Sequence, residues 1–223
     1  PAADRAAGEL TDLLARDFAT SQLWVMKDPR MCRLVPLWRR VLAGLDIKLL
    51  PVLMVRHPEE VATSLYKMVG EHHRMPEGAA YTRLLWMQHL LEAEHDTRDL
   101  KRVMVTYDQL LSDWNGTVGR IARELDFSWP RGINVAAAEI DAFLMTSQRH
   151  HKAKGAGVKA AGDDPDLAQK LYQACADDDT TGHIWKKLRQ LRKAYDDGMT
   201  IVGPGFGEWA SRTALELTEA RCS

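Results

Sequence analysis

Three short apolar runs, each followed by polar residues, constrain the fold of this chain more than any other feature. The runs cover residues 23–26, 51–55 and 102–106, and each has the length and composition of a buried strand. Stretches with the apolar periodicity of helices lie between them, at residues 33–43 and 81–97. This alternation predicts an α/β domain of three layers, in which helices cover both faces of a central parallel sheet.

A cluster of polar residues follows each predicted strand. The carboxyl ends of parallel strands meet at one edge of a sheet, and ligands bind at that edge in folds of this kind. We therefore expect the three clusters to converge on one binding site. The clusters are Lys27-Asp28-Pro29-Arg30, Arg56-His57-Pro58 and Tyr107-Asp108.

Arg56 lies between a predicted strand and a helix that begins at Pro58, which is a favourable position for binding phosphate. A guanidinium group contacts phosphate oxygens through two N–H groups at once, and the N-terminus of a helix attracts anions. Ser64 follows two turns along the helix and flanks the apolar stripe of Val61 and Leu65. The spacing alone leaves open an alternative, in which Arg56 caps the helix and Ser64 has no ligand.

Composition and charge narrow the possible partners and compartments. The formal net charge is −1 over 223 residues, which gives no general attraction to nucleic acid or to an anionic membrane. No apolar run approaches the ~20 residues of a membrane span, and no signal peptide is visible. The three cysteines match neither a zinc motif nor a disulfide framework, which indicates a reducing compartment. We expect a cytoplasmic protein of open oligomeric state, and the Ala- and Arg-rich sequence is typical of a bacterial one.

The second cluster lies in a longer run that resembles a known binding motif. The run is Val55-Arg56-His57-Pro58-Glu59-Glu60-Val61-Ala62-Thr63-Ser64-Leu65. It is similar to the 3′-phosphate-binding motif of sulfotransferases that use 3′-phosphoadenosine 5′-phosphosulfate (PAPS). In that family an Arg at a strand end and a Ser eight residues later hold the 3′-phosphate. The resemblance implies these roles for Arg56 and Ser64, and His57 stands where bacterial relatives often have His.

The third cluster is similar to a second segment of the same family. Residues 103–111 match a strand that is followed by a Tyr-acidic-x-hydrophobic segment. In cytosolic members that Tyr lies against the adenine, so the resemblance implies the same role for Tyr107. The alternative is that Tyr107 is a core aromatic residue with a hydrogen-bonded hydroxyl.

The first cluster supplies the candidate catalytic residues. Bacterial sulfotransferase-like proteins often carry Lys-Asp-Pro-Arg here, where cytosolic members have Lys-Thr-His. The resemblance implies that Lys27 neutralises the bridging oxygen of the leaving phosphate. Pro29 stands in place of the His base, so Asp28 becomes the nearest candidate base, unless it is a turn carboxylate that caps backbone N–H groups. Arg30 is a candidate for binding sulfonate or an acidic substrate group, with a structural ion pair as the alternative.

A basic loop at residues 149–155 is a further candidate. Cytosolic sulfotransferases close an Arg-Lys-Gly loop over the 3′-phosphate late in the chain. The resemblance implies a similar role for Lys154, although the spacing differs from that of the family and a solvated basic loop is the alternative.

Taken together, the resemblance implies a sulfotransferase with the fold of the P-loop NTPases and a helix-rich C-terminal part. We expect a single domain over residues 1–223, with a cofactor-binding core at residues 1–155 and a helical extension at residues 156–223. The implied reaction moves a sulfuryl group from PAPS to a hydroxyl or amine of a small-molecule, saccharide or peptide acceptor. The product is adenosine 3′,5′-bisphosphate, and no metal is implied.

One signature of the family is missing from the sequence. The loop that binds the 5′-phosphosulfate, with its Gly, Ser, Thr and basic residue, has no counterpart here, and residues 1–20 resemble the helix that normally follows it. The expectation is therefore either that the first strand and loop lie outside this sequence or that the chain is a truncated or degenerate member of the family. Two alternatives stay open: a non-catalytic nucleotide-binding relative, and a phosphotransferase similar to P-loop kinases.

Overall fold

The computed structural model describes residues 2–69, 78–151, 166–177 and 182–222. Within these residues the chain is mostly helical and contains a two-stranded parallel sheet, so the predicted α/β class is confirmed at this level. The chain divides into two compact units, Pro1–Asp178 and Asp179–Ser223. Among the described helices, none combines the length and the apolar character that crossing a membrane would require.

The first unit contains both strands and most of the helices. The strands are β1 (Val52–Val55) and β2 (Val103–Thr106). A 3₁₀ helix covers Pro29–Arg33. The α-helices are α1 (Ala2–Asp17), α2 (Val35–Gly44), α3 (Pro58–Val69), α4 (Gly78–Asp96), α5 (Tyr107–Ser112), α6 (Trp114–Leu125), α7 (Ile133–His151) and α8 (Leu167–Ala176).

The sheet confirms two of the three predicted strands. β1 and β2 run parallel and in register, with Val52 opposite Val103 and Val55 opposite Thr106. All four residues of β2 are buried, whereas β1 alternates between exposed and buried positions. Because the two strands end level with each other, the residues that follow them start from neighbouring positions at one edge of the sheet.

The strand predicted over residues 23–26 is wrong, since this segment has no regular secondary structure. Val25 is 77% exposed and Met26 is 38% exposed. Trp24 instead packs against Phe18 and Trp38, with ring centroids 5.1 and 6.4 Å away. Phe18 directly follows α1 and Trp38 belongs to α2, and no described strand pairs with the segment. The three-layer arrangement therefore stays a prediction.

The second unit contains α9 (His183–Cys222). The sequence predicts two helices here, separated by the glycine-rich stretch at residues 198–207. The structure has one continuous helix, although the glycines and Pro204 of this stretch all lower helix stability. The C-terminal part is helical where it is described, as predicted. The organisation as a single domain, with a core at residues 1–155 and an extension at residues 156–223, stays a prediction.

Two apolar clusters and one buried ion pair hold the first unit together. Leu14 packs with residues of α2, and β2 packs against α6 through Val103, Val105, Ile121 and Leu125. Glu94 of α4 is fully buried, and its Oε1 lies 3.0 Å from the guanidinium of Arg102, which is 5% exposed. This pair attaches α4 to the residue that precedes β2, so it anchors the start of the strand that leads to Tyr107.

Candidate functional site

The parallel register of the sheet brings the second and third predicted clusters together. Arg56 follows β1 and Tyr107 follows β2, and the central guanidinium carbon of Arg56 lies 5.1 Å from the centroid of the Tyr107 ring. A cation within about 6 Å of a ring centroid is attracted by the electrons of that ring. The contact joins the two residues that the sequence assigns to phosphate and adenine.

Two further contacts fix the position of Arg56. Its Nε donates a hydrogen bond to Oε2 of Glu60 over 2.6 Å, one turn along α3. Its backbone carbonyl accepts a hydrogen bond from the indole N–H of Trp86 at 3.0 Å, and that ring is buried in α4. The side chains of Arg56 and Glu60 are 26% and 31% exposed, so an anion from solvent can reach this pair.

The turn from β1 into α3 is built by His57 and Pro58. Pro58 is fully buried and begins the helix, where its missing N–H costs no hydrogen bond. The Nδ1 atom of His57 accepts a hydrogen bond from the backbone N–H of Glu59 at 3.3 Å. In the neutral imidazole the proton is therefore assigned to Nε2. His57 is thus a hydrogen-bond donor, suited to an anion.

The turn from β2 into α5 is built by a capping box. The hydroxyl of Thr106 accepts a hydrogen bond from the N–H of Gln109 at 3.1 Å, and the Gln109 side chain accepts one from the N–H of Thr106 at 2.9 Å. These reciprocal bonds start the helix immediately after the strand. Tyr107 and Asp108 are therefore held in the first turn of α5.

Tyr172 of α8 is a site residue that the sequence analysis missed. Its hydroxyl donates a hydrogen bond to Oδ2 of Asp108 at 2.5 Å, and its ring meets the His57 ring edge-on at a centroid distance of 4.8 Å. Burial, and then the bond to Asp108, raise the pKa of the Tyr172 phenol, so it remains a donor. No spacing motif links residues that are 64 positions apart, and the sequence predicts only a helix around Tyr172.

Arg83 of α4 is a second cation close to the site. Its Nε donates to Oε1 of Glu59 at 2.6 Å, and its terminal nitrogen lies 3.7 Å from Oδ2 of Asp166, the residue that caps α8. Arg83 therefore connects α3, α4 and α8. Arg56 and Arg83 each have a carboxylate partner of their own in the first turn of α3, Glu60 for Arg56 and Glu59 for Arg83.

The first predicted cluster forms a separate local structure. Oδ1 of Asp28 accepts hydrogen bonds from the backbone N–H of Arg30 at 2.8 Å and from its Nε at 2.9 Å. The bonds with Arg30 hold the pKa of the Asp28 carboxyl well below its usual range. Lys27 is exposed. Where the structure describes the chain, no hydrogen bond, ion pair or ring contact joins Lys27, Asp28 or Arg30 to Arg56 or Tyr107.

The two remaining predicted residues are not joined to the cluster around Arg56. Ser64 is exposed on α3, and within the described part of the chain it has no hydrogen bond to Arg56. Lys154 lies outside the described residues. The side chains that are described include no group of three or more His, Cys, Asp or Glu residues able to hold a metal ion.

Comparisons with known proteins give no relative for this chain. No family model matches it, and neither a curated protein nor a solved structure shows significant similarity to it. The residues of the site and the motif that residues 55–65 resemble are therefore what indicates a function.

Proposed function

We propose that this protein is a sulfotransferase that binds PAPS and transfers its sulfuryl group to a hydroxyl or amine. The observation that carries the proposal is the contact of Arg56 with Tyr107 across the level ends of two parallel strands. In the sulfotransferase motif these positions belong to the residue that grips the 3′-phosphate and the residue that lies against adenine. The proposal includes the three-layer fold of that family.

The donors around Arg56 suit the 3′-phosphate of PAPS. The guanidinium offers charge-assisted hydrogen bonds, and the imidazole N–H of His57 and the start of α3 add positive potential at the same place. In this proposal the hydroxyl of Ser64 and the side chain of Lys154 complete the phosphate site. Tyr107 offers an aromatic face to the nucleobase.

Bound PAPS supplies the activated sulfuryl group, which leaves its bridging phosphate oxygen as a new bond forms between sulfur and the acceptor oxygen or nitrogen. Lys27 is proposed to stabilise the negative charge that develops on the leaving phosphate. The acceptor proton passes to a base. The bonds of Asp28 to Arg30 argue that it orders this turn, since a carboxylate with so low a pKa is a weak base.

The separation of the first cluster from Arg56 supports a second candidate function. Lys27 and Arg56 share no hydrogen bond, ion pair or ring contact in the described structure. This fits a protein that binds adenosine 3′,5′-bisphosphate without catalysing transfer. An assay with radiolabelled PAPS and a panel of acceptors separates the two candidates. A sulfotransferase should yield labelled product, and Lys27→Ala should abolish that product. A protein that only binds the nucleotide should yield none.

Calorimetric titration with adenosine 3′,5′-bisphosphate tests the site that both candidates share. Arg56→Ala should weaken binding about 10- to 150-fold, as expected for the loss of a charge-assisted contact. Adenosine 5′-monophosphate lacks the 3′-phosphate, so its affinity should change much less in this variant.

Arg39→Ala is the matched control, because Arg39 is an arginine of α2 that pairs with Asp99 and belongs to no candidate site. Its affinity for the bisphosphate should equal that of the unmodified chain. An unmodified chain that does not bind the bisphosphate, or an Arg56→Ala variant that binds it as well, would contradict the proposed site.

A further inference from the structure

Two adjacent carboxylates in the first turn of α3 have different partners. Glu60 accepts the Nε–H of Arg56 at 2.6 Å, while Glu59 accepts the Nε–H of Arg83, also at 2.6 Å. The sequence shows only two consecutive acidic residues near the positive end of a helix. The structure distinguishes them, because only Glu60 contacts the residue proposed to bind phosphate.

The guanidinium of Arg56 is restrained on two sides. Its central carbon lies over the Tyr107 ring, and its Nε is bonded to Glu60. A guanidinium can make a two-point contact with a phosphate through its two terminal nitrogens, an edge other than the one at Nε. The bond to Glu60 and a bond to phosphate are therefore compatible in geometry.

Restraint of this kind favours binding for an entropic reason. A free arginine side chain loses rotamer freedom when it is fixed in one orientation, and a side chain that is already fixed avoids part of that loss. The charge of Glu60 acts in the opposite direction, since it lowers the positive potential that a phosphate meets. The two effects predict opposite changes in phosphate affinity when Glu60 is replaced. Loss of the oxygen that restrains Arg56 should weaken binding, whereas loss of the negative charge alone should strengthen it.

We infer that Glu60 is a positioning residue that holds Arg56 in the orientation required to bind the 3′-phosphate. The inference rests on the proposed function, because it assigns Arg56 to the phosphate. Glu60→Gln retains a carbonyl oxygen for the Nε–H and removes the charge, whereas Glu60→Ala removes both. Glu59→Gln removes the neighbouring charge without affecting Arg56, which makes it the matched control.

Titration of these variants with adenosine 3′,5′-bisphosphate tests the inference, after circular dichroism has shown that each is folded. Glu60→Ala should weaken binding about tenfold. Glu60→Gln should bind within about threefold of the unmodified chain or more tightly, and Glu59→Gln within about threefold. In the Arg56→Ala background Glu60→Ala should have no further effect, which a general structural role of Glu60 would not produce.

Other results of these titrations would overturn either the role given to Glu60 or the proposed function. Unchanged or tighter binding in Glu60→Ala would mean that Glu60 does not position Arg56 and, where binding tightens, that it competes with the phosphate. A loss that persists in the Arg56→Ala background would assign Glu60 a general structural role, and either result overturns the inference while the proposed function stands. Absence of binding by the unmodified chain would instead overturn the proposed function.

Discussion

Asp28 and Asp108 both follow apolar runs, but their carboxylates have different partners and therefore different chemistry. Asp28 is bound by the cationic side chain of Arg30, which holds its pKa low and leaves it a weak base. Asp108 accepts a hydrogen bond from the neutral phenol of Tyr172. The first carboxylate is engaged within its own turn, whereas the second connects its turn to α8.

The Tyr172 phenol should contribute to the free energy of unfolding, and this contribution should decrease at alkaline pH. Its pKa is raised by burial and by Asp108, so the folded state favours the protonated form. This stabilisation is complete below the ordinary tyrosine pKa of about 10 and is lost as the pH rises above it. Tyr172→Phe should lower the free energy of unfolding by about 1 kcal/mol at pH 8, and the difference should shrink towards pH 11.

Urea unfolding at several pH values between 8 and 11 measures this difference. Tyr107→Phe is the control, since the described residues provide no hydrogen bond to the Tyr107 hydroxyl. A difference between the unmodified chain and Tyr172→Phe that stays constant over this range would argue against the role given to the phenol.

At the scale of elements, a buried ion pair connects α4 to the start of β2, the strand that leads to Tyr107. Glu94 is fully buried and Arg102 is 5% exposed, so removing one partner leaves the other as an uncompensated charge in the interior. Glu94→Ala should therefore lower the free energy of unfolding by about 3–5 kcal/mol.

Chemical denaturation of Glu94→Ala beside Glu92→Ala measures this effect. Glu92 lies on the same helix but pairs with Arg33, whose side chain is 54% exposed, and exposed pairs contribute about 0–1 kcal/mol. Equal losses of unfolding free energy in the two variants would contradict the expectation that the buried ion pair contributes more to stability than the exposed one.

The same elements show what the sequence predicts and what it does not. β1 and β2 were predictable because each apolar run ends at a polar cluster, Arg56-His57-Pro58 after β1 and Tyr107-Asp108 after β2. The segment around Trp24 has an equally apolar sequence, yet Trp24 packs against Phe18, which follows α1, and Trp38 of α2. Local pattern cannot specify which neighbour an apolar run contacts, and that neighbour decides whether a strand forms.

For the molecule as a whole, the candidate site combines residues from distant parts of the chain. Arg56 and Tyr107 could be predicted because both follow strands and the rules of parallel sheets bring strand ends together. Tyr172 and the distinction between Glu59 and Glu60 could not, since they depend on how α8 and α4 pack against α3. The elements were predictable from local sequence, and the side-chain partners required the tertiary structure.

All residues of the candidate site belong to the unit Pro1–Asp178, as do both apolar clusters. A chain that ends at residue 178 should therefore bind adenosine 3′,5′-bisphosphate with an affinity within about threefold of the full chain. Circular dichroism should first establish that the shortened chain is folded, and calorimetry then compares the two affinities. The net charge of −1 supports this expectation, because the attraction for a phosphate must come from local groups such as Arg56. A folded chain of 178 residues that has lost binding would show that residues beyond Asp178 contribute to the site.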